Sequence, residues 1–477
     1  MASAMARGGY VTTPSDADPY IYQTGFGNRF ASEAVPGALP LGQNTPQKCA
    51  FDLYSEQLNG SSFVVLPRSG IQHVWMYRVR PSVAHGPLQA ADQLNPALQS
   101  SFLATNPAVA VVPDQLAWDP FALPAENESK DFVEGIRTVG GQGDPSLRQG
   151  LAVHMYTANR SMGRRAFCNN DGDLLIMPQQ GRLQIQTELG WLMVRPGEIV
   201  VVQAGLRFRV QLPDVDAGKD KAARGYIQEV YAAHFDLPEL GPMGSNGMAL
   251  PNDFESPVAA FDIDEQSWEV VYKLLGKLFV SQLDHSPFDV VAWRGNLVPF
   301  KYATDKFINV ANVERDQADP TVYSVLTVRS TVPGVPLTDL LVFTPKWIPT
   351  SNTFRPPYYH RNMSSEVMGL LYGTYGGSAH SLEAGGLSYE ASYMPHGETY
   401  ETWVSATTQD LVPIRICEDT VAFMFHITVP LLLAKDAVVD AHPAPESQRA
   451  AYKPHFLERL GDVNAALSKA GAPSIGL

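Results

Sequence analysis

Short apolar runs separated by glycine and proline constrain the fold of this chain more than any other feature. In residues 181–212, GRLQIQTELGWLMVRPGEIVVVQAGLRFRVQL, apolar and polar side chains alternate, and turn residues recur roughly every 8 to 12 positions. A period of two is typical of strands, and turns at this interval are typical of sandwiches and barrels. The 38 glycines and 37 prolines are scattered along the chain between such runs. The sequence therefore predicts a mainly β protein.

Two halves of the chain show this alternation but differ in their histidines. The Gly-x-x-x-x-x-Pro-Gly spacing within residues 181–212 is that of a cupin-type jelly roll, yet this segment has no histidine to bind a metal. Residues 301–440 repeat the alternation and contain several histidines. We therefore expect a two-domain cupin-like architecture with a few helices. Residues 1–300 would form a β-rich domain with a metal-free barrel, and residues 301–440 would form the barrel that holds any metal.

Two segments carry a helical pattern. In residues 264–279, DEQSWEVVYKLLGKLF, apolar side chains fall at helical spacings, which predicts a helix packed on a sheet. A second amphipathic stretch at 455–471, HFLERLGDVNAALSKAG, predicts a helix within a C-terminal tail at 441–477.

Composition and charge exclude several classes of function. The chain has 35 basic and 49 acidic side chains, a net charge of -14, and no basic run suited to a phosphate backbone, so we expect no nucleic-acid partner. The N-terminal residues lack the apolar core of a secretory signal, and there is no uncharged apolar run of about 18 residues, so we expect no membrane association. Three widely spaced cysteines are typical of reduced thiols in a cytoplasmic protein.

The stretch PPYYHRNMSSEVMGL, residues 356–370, places His360 and Glu366 in a segment otherwise suited to burial. Desolvating a carboxylate is costly unless a cation or hydrogen-bond donors compensate, and a metal ion is one such cation. Two imidazoles and one carboxylate form the facial triad of non-haem Fe(II) enzymes. His396, between Pro395 and Gly397, is the candidate for the second imidazole. Spacing alone also fits an ordinary alternative, in which these histidines are merely satisfied polar residues of a β protein.

Longer motifs carry a more specific signal. The strings YQTGFGNRFASEAVPGALPLGQNTPQK, DGDLLIMPQQG, LPELGPMGSNGMA, DHSPFDVVAW and FRPPYYHRNMSSEVMGL occur in this order along nearly the whole chain. The sequence therefore resembles the homogentisate 1,2-dioxygenase family. That resemblance implies a two-domain β fold, Fe(2+) in the smaller C-terminal domain, and a homo-oligomer, either a trimer or a hexamer. It also implies a small aromatic substrate and O2, with homogentisate converted to maleylacetoacetate.

The resemblance assigns the metal ligands residue by residue. The family's iron histidine in Pro-Tyr-Tyr-His-Arg-Asn matches His360, its glutamate matches Glu366, and its Pro-His-Gly histidine matches His396. Tyr375, in GTYGG, resembles the family tyrosine that holds polar groups of the substrate, although a core tyrosine is an equal alternative. Two further histidines, His380 and His426, match no family motif and are expected not to be metal ligands. Of these, His426 could line the cavity.

At three positions this chain has a different residue where the family pattern has a histidine. They are Arg294 in WRGN, Gln317 in DQADP and Glu390, six residues before His396. Gln317 resembles the position of the active-site base, and an amide cannot take a proton at neutral pH. We therefore assign Gln317 and Glu390 as candidate catalytic positions, with Glu390 a replacement base, and Arg294 as a candidate substrate-binding residue. A structural ion pair between Arg294 and Glu390 is the alternative.

The sequence thus predicts an Fe(II)-dependent ring-opening dioxygenase that resembles homogentisate 1,2-dioxygenase. Two alternatives stay open. One is a paralogue that cleaves a different hydroquinone or polyphenolic metabolite, and the other is a catalytically silent cupin-like scaffold.

Overall fold

The computed structural model describes residues 12, 14–40, 47–64, 68–231, 233–239, 249–308, 323–348, 358–375, 382–410, 412–445 and 450–476. Strands dominate. Those up to residue 303 are β1 Tyr22–Thr24, β2 Phe30–Glu33, β3 Tyr54–Asn59, β4 His73–Arg78, β5 Gln89–Ala90, β6 Val109–Ala110, β7 Leu116–Trp118, β8 Ile136–Asp144, β9 Gln149–Ala158, β10 Arg165–Asn169, β11 Gly172–Gln180, β12 Leu183–Thr187, β13 Gly190–Val194, β14 Glu198–Val202, β15 Arg207–Gln211, β16 Ala223–Tyr231, β17 Phe235–Asp236, β18 Glu255–Pro257, β19 Trp268–Leu274, β20 Lys277–Leu283, β21 Val290–Gly295 and β22 Phe300–Ala303.

Later in the chain the strands continue and the longer helices appear. The strands are β23 Ser324–Arg329, β24 Pro336–Phe343, β25 Lys346–Ile348, β26 Ser365–Tyr372, β27 Leu387–Glu390, β28 Ile414–Ile416, β29 Val421–Ile427, β30 Leu432–Ala434 and β31 His442–Pro443. The α-helices of the whole described chain are α1 Pro213–Asp216, α2 Tyr400–Thr408, α3 Lys435–Val438, α4 His455–Glu458 and α5 Leu460–Lys469. Short 3-10 turns are at Ala50–Asp52, Arg68–Gly70, Asp92–Leu94, Pro145–Leu147, Pro251–Asp253 and Thr304–Lys306.

The central layer is a ten-stranded sheet with the order β1-β18-β22-β14-β11-β16-β9-β8-β30-β6. Both of its faces are buried, which explains the continuous apolar run at residues 174–178 of β11. Leu174 and Ile176 face a core shared with the seven-stranded sheet β13-β12-β15-β10-β19-β20-β5 and the four-stranded sheet β2-β21-β4-β3. Leu175 and Met177 face a second core. That core is shared with the eight-stranded sheet β17-β23-β24-β29-β26-β27-β7-β31, and a small sheet pairs β25 with β28.

Strands cross the domain boundary expected near residue 300. β7, from the first half, pairs with β27 of the eight-stranded sheet, and β17 pairs with β23. In the other direction, β30 pairs with β6 and β8 of the central sheet. The two halves therefore share strands as well as a core. The division into residues 1–300, 301–440 and 441–477 stays a prediction.

The helix predicted over 264–279 is wrong, because this segment is the hairpin of β19 and β20. Leu275 and Gly276 form its two-residue turn with φ values of 52° and 74°, the left-handed conformation that type I′ turns require. Val270 and Val271 enter different apolar clusters because successive side chains in a strand point to opposite faces. Both faces are buried, so the apolar positions also satisfied a helical spacing.

Other expectations are confirmed. The mainly β fold with few helices is present, and residues 181–212 form the consecutive strands β12 to β15. The C-terminal amphipathic stretch forms α4 and α5. Among the helices that the structure describes, none is long and apolar enough to span a membrane.

Candidate metal centre

Glu366 lies at the start of β26, on the face of the eight-stranded sheet that is turned away from the shared core. Val367 and Leu371 point into that core, whereas Met368 and Leu370 lie on the same face as Glu366 and pack in a smaller apolar cluster. Gly369 is required for a close approach, because a Cβ there would lie 2.3 Å from Cζ of Phe423. The alternation of β26 therefore places a carboxylate at one end of a largely apolar sheet face.

His360 precedes this strand by a turn that Asn362 stabilises. The Asn362 side-chain oxygen accepts a hydrogen bond from the Ser364 amide at 2.8 Å. The Asn362 amide nitrogen donates to Oε1 of Glu366 at 2.7 Å. Asn362 thus connects the turn to the carboxylate, a role that the sequence analysis missed. An asparagine shortly before a strand, whose side chain can bond the backbone two residues on, is the local signal of such a turn.

His396 is brought to His360 by the backbone. The two residues form an isolated antiparallel bridge, with His360 N donating to His396 O at 3.0 Å and His396 N donating to His360 O at 3.1 Å. The neighbouring Gly397 allows this approach, since a Cβ there would lie 2.7 Å from a ring carbon of Tyr359. The His396 ring is oriented by Nδ1, which lies 2.9 Å from the carbonyl oxygen of Met394. Its Nε2 therefore points towards the site with a free lone pair.

The three predicted ligands meet. His360 Nε2 lies 3.6 Å from Oε1 of Glu366, and His396 Nε2 lies 3.5 Å from Oε2. The candidate ligand atoms of the three residues, one from each, all lie within 4.8 Å of one another. Adjacent ligands of a first-row metal with bonds of about 2.1 Å are about 3 Å apart, so small side-chain movements suffice for coordination. Within the described residues this is the one group of three such side chains.

The charges of these groups are coupled. Burial alone would raise the pKa of Glu366, but the neighbouring His360 and His396 rings and the hydrogen bond from Asn362 outweigh it and hold that pKa well below its usual range. Burial opposes protonation of His396, whereas the Glu366 carboxylate raises its pKa overall. Nε2 of His396 and Nδ1 of His360 are nevertheless buried without a hydrogen-bond partner. Two imidazoles that each have an unpartnered ring nitrogen, beside a carboxylate, fit a divalent metal.

Glu390 lies beside the triad. It is the cross-strand partner of Glu366 between β27 and β26, so both side chains lie on one face of the sheet. Glu390 is 6% exposed, and its Oε2 is buried without a hydrogen-bond partner. Burial raises the pKa of Glu390 to about 8, His396 lowers it, and the Glu366 carboxylate raises it further. A carboxyl group that is open to a ligand therefore adjoins the metal centre.

Tyr375 lies at the opposite end of this sheet face. Its ring centroid is 6.0 Å from that of Phe343, and it packs against the apolar cluster of Met368, Leu370, Leu382 and Ala422. Burial, and then the negative charge of Glu398, raises the pKa of the Tyr375 phenol well above its ordinary value. The triad, the carboxyl groups and this apolar wall thus surround one region of the barrel.

Glu398 is a second residue that the sequence analysis missed. Its Oε2 is buried without a hydrogen-bond partner, and burial raises its pKa to about 7. Its place in PHGET, two residues after His396, was the available signal.

The remaining predicted positions are distributed differently. Arg294 lies on β21 of the four-stranded sheet, opposite Ala31 and Trp75; burial raises the pKa of Tyr77, and the nearby Arg294 guanidinium lowers it in part. The structure therefore does not bring Arg294 to the triad, and no described contact joins it to Glu390. Gln317 and His380 lie outside the described residues.

His426 is described and lies near the triad. It is the cross-strand partner of Glu366 on β29, on the cavity face, and it is absent from the group of three metal-binding side chains.

Comparisons with known proteins identify the family of the chain. A family model described as Homogentisate 1,2-dioxygenase N-terminal matches residues 21–304, and one described as Homogentisate 1,2-dioxygenase C-terminal matches residues 305–453. Homogentisate 1,2-dioxygenase of Oryza sativa subsp. japonica is 47% identical over 410 residues, covering 85% of each chain. The protein of the same name from Dictyostelium discoideum is 45% identical over 413 residues, covering 86% of this chain and 92% of its own.

Similarity to a solved structure is weaker. A cupin 2 conserved barrel domain protein from Leptotrichia buccalis has 9% identity and a TM-score of 0.27, covering 64% of this chain and 92% of its own. The two family models and the two relatives together establish that the chain belongs to the homogentisate 1,2-dioxygenase family.

Proposed function

We propose that this protein is an Fe(II)-dependent dioxygenase that opens the ring of homogentisate to give maleylacetoacetate. The convergence of His360, Glu366 and His396 carries the proposal, because two imidazoles and a carboxylate leave the other metal positions free for substrate and O2. When bound, Fe(II) supplies redox chemistry towards O2 and Lewis acidity towards a ring hydroxyl. The relatives that bear the name homogentisate 1,2-dioxygenase support the substrate.

Glu390 is proposed to hold the proton that a ring hydroxyl loses. Its open Oε2 is buried beside the triad, so a hydroxyl bound there would find an acceptor that no other described side chain occupies. The Gln317 amide, at the position that resembles the family base, cannot accept a proton. Positioned general bases typically contribute about 10²- to 10⁴-fold to a rate.

The apolar end of the cavity is proposed to position the aromatic ring. Met368, Phe343 and Tyr375 offer an apolar surface that runs along the sheet face away from the ligands. Aromatic rings pack well against such surfaces, and the Tyr375 hydroxyl is a hydrogen-bonding group for a polar substituent.

A second candidate function is the cleavage of a different hydroquinone or polyphenolic metabolite. The observation that favours it is the buried carboxyl group of Glu390 at a position that matches a family histidine, because this changes the charge next to the substrate. A cytoplasmic location, inferred from the cysteine usage, and a trimer or hexamer, inferred from the resemblance, remain part of the proposal. Light scattering against the chain mass of 52.1 kDa tests the oligomer.

Oxygen uptake tests this function. Protein reconstituted with Fe(II) without oxygen is mixed with homogentisate, other hydroquinones, catechols and polyphenols, and substrate-dependent O2 consumption is recorded. We expect homogentisate to be consumed and its ring-opened product to form. Faster turnover of another hydroquinone would favour the second candidate. If no substrate caused O2 consumption, the result would favour the alternative of a catalytically silent scaffold.

A further inference from the structure

The C-terminal segment, residues 450–476, contacts both of the loops that carry the candidate ligands His360 and His396. The Tyr452 ring meets the Tyr359 ring edge-on, with centroids 5.4 Å apart, and Tyr359 immediately precedes His360. The Tyr452 hydroxyl donates a hydrogen bond to the carbonyl oxygen of Glu398, two residues after His396. One side chain of the C-terminal segment therefore joins the two ligand loops from outside the sheet.

His455 makes a second contact three residues later. Its Nε2 lies 2.8 Å from the Tyr400 hydroxyl. Its ring stacks on Trp403 at 5.3 Å and on Tyr400 at 5.8 Å, with interplanar angles of 14° and 15°. Both aromatic residues belong to α2, which follows the His396 loop directly and has Thr399 as its N-cap. Fixing α2 therefore fixes the end of the loop that carries His396.

Much of the side-chain surface of these loops is exposed. α2 contains no buried residue, and Tyr358, Tyr359 and Met394 are 62%, 45% and 38% exposed. Segments with few buried apolar contacts open at low free-energy cost. Hydrogen bonds between the two loops join the backbones of His360 and His396 and run from Tyr393 N to Asn362 O, and the C-terminal contacts add a side-chain link.

Part of this contact lies beyond the family match. The C-terminal family model ends at residue 453, so Tyr452 falls within it, whereas His455 and the helices α4 and α5 follow it. The stacking of His455 on α2 is thus a feature of this chain that the family model does not cover.

We propose that Tyr452 and His455 form a C-terminal clasp that positions His360 and His396 for metal binding. Both are positioning residues, since neither reaches the metal centre and each acts through the loop that it contacts. The clasp slows the separation of the two ligand loops and thereby retains the metal. This inference rests on the proposed metal site.

Iron release tests the clasp in the full-length protein. Wild type, Tyr452→Phe, His455→Ala and the double variant are loaded with Fe(II) without oxygen, and transfer of iron to a colorimetric ferrous chelator is timed. Tyr452→Phe keeps the ring and removes one hydrogen bond, so we expect release to accelerate about 3- to 10-fold, with a larger effect in the double variant. His455→Phe keeps the stacking and should restore most of the loss in His455→Ala. Phe456→Ala, at a neighbouring side chain that is 60% exposed, is the matched control and should release iron as wild type does.

Two further readouts separate positioning from general stabilisation. Hydrogen exchange of residues 397–408 in the metal-free protein should be faster in the double variant, while the thermal unfolding midpoint stays near that of wild type, because the clasp lies outside the barrel cores. Wild-type release rates in the double variant would overturn the clasp. A midpoint that falls in parallel with faster release would also overturn it, because the contacts would then stabilise the whole fold. A wild type that binds no iron would instead refute the metal site itself.

Discussion

Buried charge is handled differently in the N-terminal sheets and at the metal centre. In the N-terminal sheets, Lys273 is 1% exposed and its Nζ lies 2.8 Å from Asp171 and 2.7 Å from Glu229. Glu229 also accepts a hydrogen bond from Asn169 and lies 3.3 Å from Nε2 of His154. Each charge in this group has a partner, so the network is closed and leaves nothing for a ligand to bind.

At the metal centre the same types of side chain are left open. Across the described residues, the carboxylate oxygens and imidazole nitrogens that are buried without a hydrogen-bond partner all belong to this region: Oε2 of Glu390, Oε2 of Glu398, Nδ1 of His360 and Nε2 of His396. An unpaired buried polar group costs free energy, and such groups cluster where a ligand completes them. Burial is common to both regions. What distinguishes a structural charge network from a candidate functional one is whether each buried charged group has a partner within the protein.

The largest expected effect comes from Glu390. Glu390→Gln preserves the shape of the side chain but removes its capacity to take a proton, so we expect kcat to fall about 10²- to 10⁴-fold while iron content is unchanged. Steady-state O2 uptake measures this. Glu383→Gln, at an exposed carboxylate shortly before β27, is the control and should leave kcat unchanged. A Glu390→Gln enzyme with full turnover would place Glu390 among the structural charges.

Lys273 tests the closed network. Lys273→Met leaves the Asp171 and Glu229 carboxylates buried without their cation, so we expect a loss of about 3–5 kcal/mol in the free energy of unfolding. Urea denaturation measures the loss, and iron stoichiometry should not change. Lys277→Ala, at a lysine that is 66% exposed, should change stability by less than about 1 kcal/mol. Loss of iron in Lys273→Met would contradict the view that this charge network is separate from metal binding.

A smaller, pH-dependent effect is expected from His234. Its Nδ1 lies 2.8 Å from Asp173 and its Nε2 lies 2.8 Å from the Gly60 carbonyl, so both nitrogens donate only when the ring is protonated. Burial opposes this, but Asp173 raises the pKa of His234 to about 9 from 6.5. Because the folded state holds the proton more tightly, this stabilisation is complete below about pH 6.5 and is lost as pH rises through about 9.

The free energy of unfolding should therefore fall by about 1–3 kcal/mol across that interval. Urea midpoints at several pH values measure the fall, and His234→Gln should flatten it. An equally steep pH dependence in His234→Gln would assign the effect to other groups.

The smallest effect concerns the β19–β20 turn in the N-terminal sheets. Leu275 is 58% exposed and has a φ of 52°, which costs a leucine roughly 1–2 kcal/mol. Leu275→Asn creates Asn-Gly, the preferred pair for a type I′ turn, and should stabilise the protein by about 0.5–1 kcal/mol. The shift in urea midpoint measures it. Destabilisation by this exchange would contradict the hairpin, since Asn-Gly is unfavourable within a helix.

Local sequence patterns predicted most of the fold, and they failed where two periodicities coincide. Residues 181–212 alternate cleanly and form four strands as expected. Residues 264–279 do not, because Val270 and Val271 are both buried on opposite faces, which is compatible with a strand or a helix. The exchange of β7 and β30 between the sheets was not predictable, since it depends on pairing between residues that are far apart in sequence.

The convergence of the candidate metal ligands was predictable, and their surroundings were only partly so. His360, Glu366 and His396 fall in long family motifs, and the structure brings them together. Arg294 matches a family motif equally well, yet its strand belongs to the four-stranded sheet, a placement that no local pattern specifies. Glu398 and Asn362 were missed because their significance comes from a buried free oxygen and from a contact with Glu366.

The most direct test of the central claim, that the open groups are a metal centre, is iron content. Wild type, His360→Ala, Glu366→Ala and His396→Ala are reconstituted with Fe(II) without oxygen, desalted and analysed for iron. His442→Ala, at an exposed histidine paired with Asp119, is the control. We expect one Fe(II) per chain in wild type and in the control, and loss of most iron in each ligand variant. Wild-type iron stoichiometry in all three ligand variants would contradict the assignment.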